Sequence, residues 1–295
     1  MTRREFVQGS GCAAAALATG VAFAESKEDS YAAFQREIDR VKAAQFGAYL
    51  KRGNAADEPA FGRLEKAFDK VLAEVKSAIV TDRPAVWLVY NMGVVVKTAK
   101  CCFSVDLMHR RAEEMAPLLD FALITHNHGD HYTEAFYRAM NGAGKTVISN
   151  FKDNYGVKDT RTLGGYIRGE KEFAIGDVRI RTALADHNTY LRDFTTVFEI
   201  SVGDFAIYHT GDCCGIDKLR PKLRKPDLWF VHPRCGLSPA EGARKFNPKL
   251  TVIGHLNELG HDKWRWSWQD GLDAKAAVEA TGHAAIVPLW GERIS

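Results

Sequence analysis

The chain has 295 residues, 46% hydrophobic and 26% charged, the profile of an ordinary globular protein with enough length for a substantial core. Lys and Arg number 40 against 37 Asp and Glu, and the net charge of +3 shows no clustered basic face of the kind a nucleic-acid partner requires. Composition therefore excludes more than it selects.

The N-terminus is more selective. Thr2-Arg3-Arg4-Glu5-Phe6 precedes an apolar, alanine-rich stretch from Cys12 to Ala24 that ends Ala22-Phe23-Ala24. A basic start, a short apolar segment and a small-x-small end describe a secretory signal peptide. The stretch falls short of the about 20 residues needed to cross a bilayer. The paired arginines before Phe6 resemble a twin-arginine export signal. The expectation is a signal peptide over 1–24, cleaved after Ala24 and delivered by the twin-arginine export machinery to the periplasm, with no stable membrane anchor. Cleavage removes Arg3, Arg4 and Glu5 and takes the charge from +3 to +2. Five cysteines remain: Cys101, Cys102, Cys213, Cys214 and Cys235. An odd count with two adjacent pairs is no disulfide framework, so most are read as small core residues.

Residues 28–50 and 58–80 read as two helices. Phe34, Ile38, Val41, Phe46 and Tyr49 recur near helical spacing, as do Phe61, Leu64, Phe68, Leu72, Val75 and Ile79. Gly53-Asn54 and Pro59 separate them, giving a helical hairpin over 25–82 ahead of the main domain at 83–295. From Pro84 the pattern turns to strands: Ala85–Tyr90, Gly93–Thr98 and Cys102–Asp106, a helix at Arg110–Leu118, then Phe121–Thr125. Further strands are expected at Thr146–Ser149, Val178–Ala183, Thr196–Val202, Phe205–His209, Leu228–His232, Leu250–Gly254 and Ala284–Leu289. Helices are expected at Tyr132–Met140 and Asp270–Ala280. Many strands with few, spaced helices predict an α/β domain with helices outside the sheets.

The apolar run ending at Thr125 opens directly into His126-Asn127-His128-Gly129-Asp130-His131. Imidazole and carboxylate are the usual ligands of zinc and of borderline metals such as iron and manganese. Gly129 permits the tight turn that gathers these side chains. His126 and His128 can face one ion while Asp130 and His131 face another.

Here the chain resembles the metallo-β-lactamase-fold superfamily, whose hallmark is His-x-His-x-Asp-His, and the resemblance runs in order from about Pro84 to the C-terminus. Asp106 matches an aspartate before the motif, His187 a histidine after a later strand, Gly211-Asp212 a strand-ending Gly-Asp, and His255 a histidine after another apolar strand. The resemblance implies an αββα sandwich, two facing mixed sheets with outer helices. It implies that His126, His128 and His187 bind one divalent metal and Asp130, His131 and His255 the other, with Asp212 shared. Zinc is the first expectation, manganese or iron the alternatives. A hydroxide bridging the two metals would be the nucleophile, with Asp130 and Asp212 catalytic and Asp106 fixing a ligand imidazole.

Two positions stay open. His261 lies six residues after His255 and competes for the last place, with His255 favoured because it follows its strand at once. Cys213, next to Asp212, carries a thiol that can ligate a metal but is read as structural. On the substrate side, His232 and Arg234 follow a strand that should end near the site, and Arg234 can hold an anionic group. Asn91 is explained by its turn, and Trp264-Arg265-Trp266-Ser267-Trp268 reads as core more readily than as a pocket wall. The Trp87–Gly93 opening and the Pro288–Glu292 ending look closest to the branch that holds L-ascorbate 6-phosphate lactonase and N-acyl-phosphatidylethanolamine phospholipase D-like hydrolases. The expected function is hydrolysis of an ester, lactone, amide or phosphodiester bond in a small-molecule substrate. An iron-dependent oxygen or sulfur redox enzyme and a non-catalytic metal-containing binding module are the alternatives.

Overall fold

Short runs of β-branched and aromatic residues between turns produce two sheets in a computed structural model that describes residues 27–51, 58–150, 170–222 and 225–295. The signal-peptide reading over 1–24 and the Gly53-Asn54 turn lie outside the described residues. β1 (Ala85–Tyr90), β2 (Gly93–Lys97), β3 (Cys102–Val105), β4 (Phe121–Leu123) and β5 (Thr146–Ile148) form the first sheet in that order. Its first three strands are antiparallel, and β3, β4 and β5 run parallel. β6 (Lys171–Ile175), β7 (Val178–Ala185), β8 (Thr195–Val202) and β9 (Phe205–His209) continue antiparallel into the second sheet. β10 (Leu228–Val231), β11 (Leu250–Ile253) and β12 (Ala285–Ile286) extend it in parallel.

Strands such as β1, β3, β4 and β10 are buried at every position, because helices cover the faces that the other sheet does not. The N-terminal segment forms α1 (Lys27–Ile38), α2 (Ala43–Leu50) and α3 (Pro59–Ser77), and α3 packs on β1. Next, α4 (Glu134–Gly142) packs on β5, while α5 (Pro239–Phe246) lies beside α6 (Trp268–Glu279), which covers β11 and β12. The result is the expected arrangement of two mixed sheets flanked by helices. The exposed edge of β1 is closed by the C-terminal tail, where Ile294 N donates to Val86 O (2.7 Å) and Leu88 N to Glu292 O (2.9 Å).

Three local expectations change, and two elements, β6 and α5, were not expected. The helix read over 28–50 is two helices, because the carbonyls of Ile38 and Val41 turn away to accept from the Arg265 guanidinium at 3.0 and 2.7 Å. The helix expected at Arg110–Leu118 is a single 3-10 turn over Ala112–Met115, stopped by Pro117. β6 carries mostly exposed side chains on a sheet edge, and its hydrophobic signal is correspondingly weak. α5 has a legible start, Ser238 accepting from Glu241 N ahead of Pro239, but spans only two turns. The run at Ala284–Leu289 contracts to β12.

A buried knot ties the N-terminal helices to the first sheet. His109, fully buried, receives the Arg111 backbone N–H at Nδ1 (3.1 Å), places Nε2 3.2 Å from the Tyr49 hydroxyl and stacks on Phe68. Tyr49 donates to Glu65 (2.5 Å), which also receives Arg110 and Arg111. Burial pushes the His109 imidazole down to about 4. The unfolded chain takes up that proton near pH 6.5 and the folded chain resists it, so stability is full above 6.5 and falls as pH drops toward 4. His109→Gln, which keeps a donor and removes the titration, should show a shallower acid loss than the parent. The difference at pH 4 should be on the order of 3 kcal/mol by urea unfolding; identical pH profiles would clear His109 of the role.

Candidate metal centre

Each candidate side chain among the described residues stands just past the carboxyl end of a strand, where the loops of both sheets converge. Asn91 follows β1, Asp106 follows β3 and His126–His131 follow β4. His187 follows β7, Asp212 follows β9, His232 and Cys235 follow β10, and His255 follows β11. Two donor groups result. His126, His128 and His187 present ligand atoms within 4.8 Å of one another, as do Asp130, His131, Asp212 and His255.

Asp212 joins the groups. Its Oδ2 lies 3.8 Å from His126 Nε2, 3.5 Å from His187 Nε2, 3.4 Å from His131 Nε2 and 3.3 Å from His255 Nε2. The glycine before it adopts φ +50, and a Cβ there would sit 3.0 Å from both Thr125 and Thr195, so Gly211 sets how closely the aspartate approaches. His126 Nε2, His131 Nε2, His187 Nε2 and Asp212 Oδ1 are buried without a hydrogen-bond partner among the described residues. A buried unmet polar atom costs about 1–3 kcal/mol. Four of them aimed into one space fit a cation-binding centre, and an all N/O donor set suits zinc, manganese or iron.

The electrostatics agree. Burial opposes ionisation of Asp212 and Asp130, yet the neighbouring His131 and His255 hold both carboxyls well below the usual range. Burial would likewise lower His255, but Asp212 and Asp130 outweigh it and carry the imidazole up to about 10. His126, with burial and His131 acting together, is pushed well below the usual histidine range. Protons on imidazole thus answer a concentrated negative charge that a divalent cation would answer directly through the same nitrogens.

Outer partners fix the donors. Asp106, at φ 48, accepts the Thr125 N–H at Oδ1 (2.7 Å), and its Oδ2 takes the Thr125 hydroxyl (2.8 Å) and lies 2.9 Å from His131 Nδ1. Thr125 Oγ1 is also 2.9 Å from His126 Nδ1. Asn91 does more than turn the chain: at φ 55 its Nδ2 reaches both Asp130 O and Oδ2 at 3.2 Å, and its carbonyl accepts from His255 N (3.1 Å). Its spacing to Asp130 and His255 is tertiary, so the sequence carried no signal beyond the turn. Phe194 packs its ring on His126, His128 and His187 at 5.6, 5.1 and 5.9 Å, a contact equally invisible beforehand.

The structure places the open positions in different surroundings. His255 belongs to the second donor group, whereas His261 turns Nδ1 to the buried Glu258 (2.7 Å) and stands half-exposed on a cavity wall. Cys213 Sγ is turned to Gly215 O (3.0 Å). The cysteine beside Asp212 is Cys235, whose Sγ donates to Asp212 O (2.9 Å) and whose thiol burial pushes up. With His232 and Asp212 it forms a third group of donor atoms within 4.8 Å. His232 stacks on His255 at 4.1 Å, and Arg234 donates to Asp270 Oδ1 at 2.7 and 3.0 Å. The tryptophans divide: Trp268 is buried against Tyr31 and Phe34, while Trp264 and Trp266 line the cavity. That cavity, about 820 Å³, opens over Asp130, Asp212, His128, His187 and His255.

A model of the beta-lactamase superfamily domain matches residues 101–259. A UPF0173 metal-dependent hydrolase of Caldivirga maquilingensis is 29% identical over 196 residues, 56% of this chain and 83% of that protein. Its counterpart in Heliobacterium modesticaldum is 32% identical over 101 residues, 32% of this chain, and the match spans only 42% of that protein's length. Among solved structures, the metallo hydrolase Igni18 of Ignicoccus hospitalis is 19% identical, with a TM-score of 0.54 over 71% of this chain and 97% of its own. The diiron β-hydroxylase CmlA of Streptomyces venezuelae is 14% identical, with a TM-score of 0.54 over 73% of this chain and 54% of its own. These two likenesses are of fold.

Asp106→Asn keeps a residue that tolerates positive φ and weakens the anionic hold on His131. Zinc affinity on the Asp130–His131–His255 side should fall about 10–100-fold, read by competition with a coloured chelator. Unchanged affinity would mean that Asp106 serves the Thr125 turn alone.

Proposed function

This chain belongs to the beta-lactamase superfamily, and from that premise we propose that it is an exported metal-dependent hydrolase of an ester, lactone, amide or phosphodiester bond. The observation that carries the reading is Asp212 Oδ2, set among four imidazole nitrogens of two donor groups at the floor of an open cavity. The names of its UPF0173 relatives support the same class. The Trp87–Gly93 and Pro288–Glu292 segments support a place near the lactonase-like and N-acyl-phosphatidylethanolamine phospholipase D-like branch.

His126, His128 and His187 would hold one divalent ion and Asp130, His131 and His255 a second, with Asp212 shared; zinc is preferred, with manganese or iron as alternatives. When bound, such a pair acidifies a water and polarises the bond under attack. The chain's own groups do the rest. Asp130, steadied by Asn91, is placed to orient the attacking water and take its proton. Asp106 and Thr125 hold His131 and His126 in register, so the donors need little reorganisation. His232, Arg234 and His261 stand on the cavity wall as substrate-side residues.

Export through the twin-arginine machinery to the periplasm suits this chemistry. That route carries folded proteins, and a buried donor set of this kind is filled as the chain folds.

Plasma mass spectrometry on residues 25–295, purified without added metal, should find about two equivalents of zinc or manganese. Predominant iron would move the reading to oxygen-dependent chemistry, and no metal after reconstitution would leave a binding module. Asp212→Ala should release both ions and abolish hydrolysis; full retention of metal would overturn the shared role. Replacing Arg3 and Arg4 together by Lys should stop periplasmic accumulation, and an unchanged yield would assign the ordinary secretion route.

A further inference from the structure

The segment ahead of the matched domain forms part of the cavity over the metal centre. Ala43, Phe46, Gly47 and Leu50 of α2 all line it, at spacing i, i+3, i+4 and i+7, one face of a helix. Met108, Trp264 and Trp266 line the same cavity. The sequence of α2, Ala-Ala-Gln-Phe-Gly-Ala-Tyr-Leu, carries no charge at all, unlike α1 and α3, whose free faces are strongly charged. Phe46 and Met108 are buried and back this wall, whereas Ala43, Gly47, Leu50 and Trp266 are half-buried and Trp264 is 55% exposed, so these present the apolar surface.

This wall is fixed relative to the metal centre. Asp262 Oδ1 accepts the first backbone N–H of α2, at Ala43 (2.9 Å), and Arg265 donates to Ile38 O, Val41 O and Leu259 O. Both residues belong to the loop that follows His255. Tyr49, whose ring stacks on Phe46 at 5.7 Å, is buried in the His109 knot. Among the described residues, the one guanidinium on the cavity wall, that of Arg234, already bonds Asp270. His261 on the same wall is held by Glu258, and the part formed by α2, Met108 and the two tryptophans is apolar, in a space of about 820 Å³, the size that houses a drug-sized ligand.

We propose that α2, Met108 and the Trp264–Trp266 pair form a binding wall for an apolar acyl chain, so that the substrates are medium-chain acyl esters, lactones or amides whose carbonyl lies over the metal centre. Gly47 sets the depth of this wall. The assignment of a scissile carbonyl rests on the hydrolase reading above; the apolar chain site does not.

The test separates the two. Acetate, butyrate, hexanoate and octanoate are titrated calorimetrically into zinc-loaded protein of residues 25–295. Affinity should rise about tenfold for every two carbons until the wall is filled. A Cβ at Gly47 meets nothing within 4 Å, and the helix prefers any such replacement to glycine, so Gly47→Phe should fold and fill the wall. The octanoate-to-acetate affinity ratio should fall at least tenfold in this variant, and likewise in Trp264→Ala, which removes the most exposed apolar side chain of the wall. A flat series in the parent protein, or an unchanged ratio in both variants, overturns the proposal. Nitrophenyl esters of the same acids are assayed in parallel. Chain-dependent binding without cleavage of any ester would sink the hydrolase reading and leave the wall standing. Cleavage with rates and affinities indifferent to chain length would do the reverse.

Discussion

The structure turns on one buried carboxylate oxygen. Asp212 Oδ2 stands within 3.8 Å of four imidazole nitrogens contributed by loops after β4, β7 and β11. Such a cluster is costly to assemble, since each ionised or polar group gives up water, and it persists only where neighbours or a cation answer the charge. Much of the local architecture serves that need. Gly211 lets the aspartate approach, Asp106 and Thr125 anchor two imidazoles from behind, and Asn91 binds Asp130 while its carbonyl holds His255. Three of the non-glycine residues among them, Asn91, Asp106 and His255, adopt positive φ. Backbone strain of that kind concentrates where a surrounding network over-determines the geometry.

Two sheets, each with a run of parallel strands on one side (β3–β5 and β9–β12), make this possible. Parallel pairing sends successive carboxyl ends to the same edge, so residues far apart in the chain meet without long loops. The C-terminal tail on β1 and the helices over the faces leave that edge as the open one. The cavity forms there, over the donors.

The N-terminal helices are tied into this arrangement rather than appended to it. Arg265 and Asp262 clamp the α1–α2 junction, and Tyr49, Glu65 and His109 lock α2 and α3 to the loop after β3. Their apolar residues belong to one continuous core with the sheets. A single polar loop, residues 255–266, thereby carries a donor histidine, the clamp and two cavity tryptophans.

Much of the centre was legible because its information is local. Six consecutive residues, His126–His131, put four donors at one strand end, and the later donors each follow an apolar run, so strand periodicity and residue type located them. The strands themselves follow from β-branched runs broken by turns, most of them within a residue or two. What the sequence left open depends on side-chain partners that no periodicity registers. The break between α1 and α2 is made by Arg265, which no helical periodicity over 28–50 can register. Whether His255 or His261 joins the donors is decided by Glu258, which draws the second imidazole aside. The roles of Asn91, Phe194 and Cys235, and the division of the tryptophans between core and cavity, are contacts between strand ends. Residue type and spacing determine which side chains can bind a cation; only the packing of two sheets determines which of them share one volume, because that distance is set by the whole core.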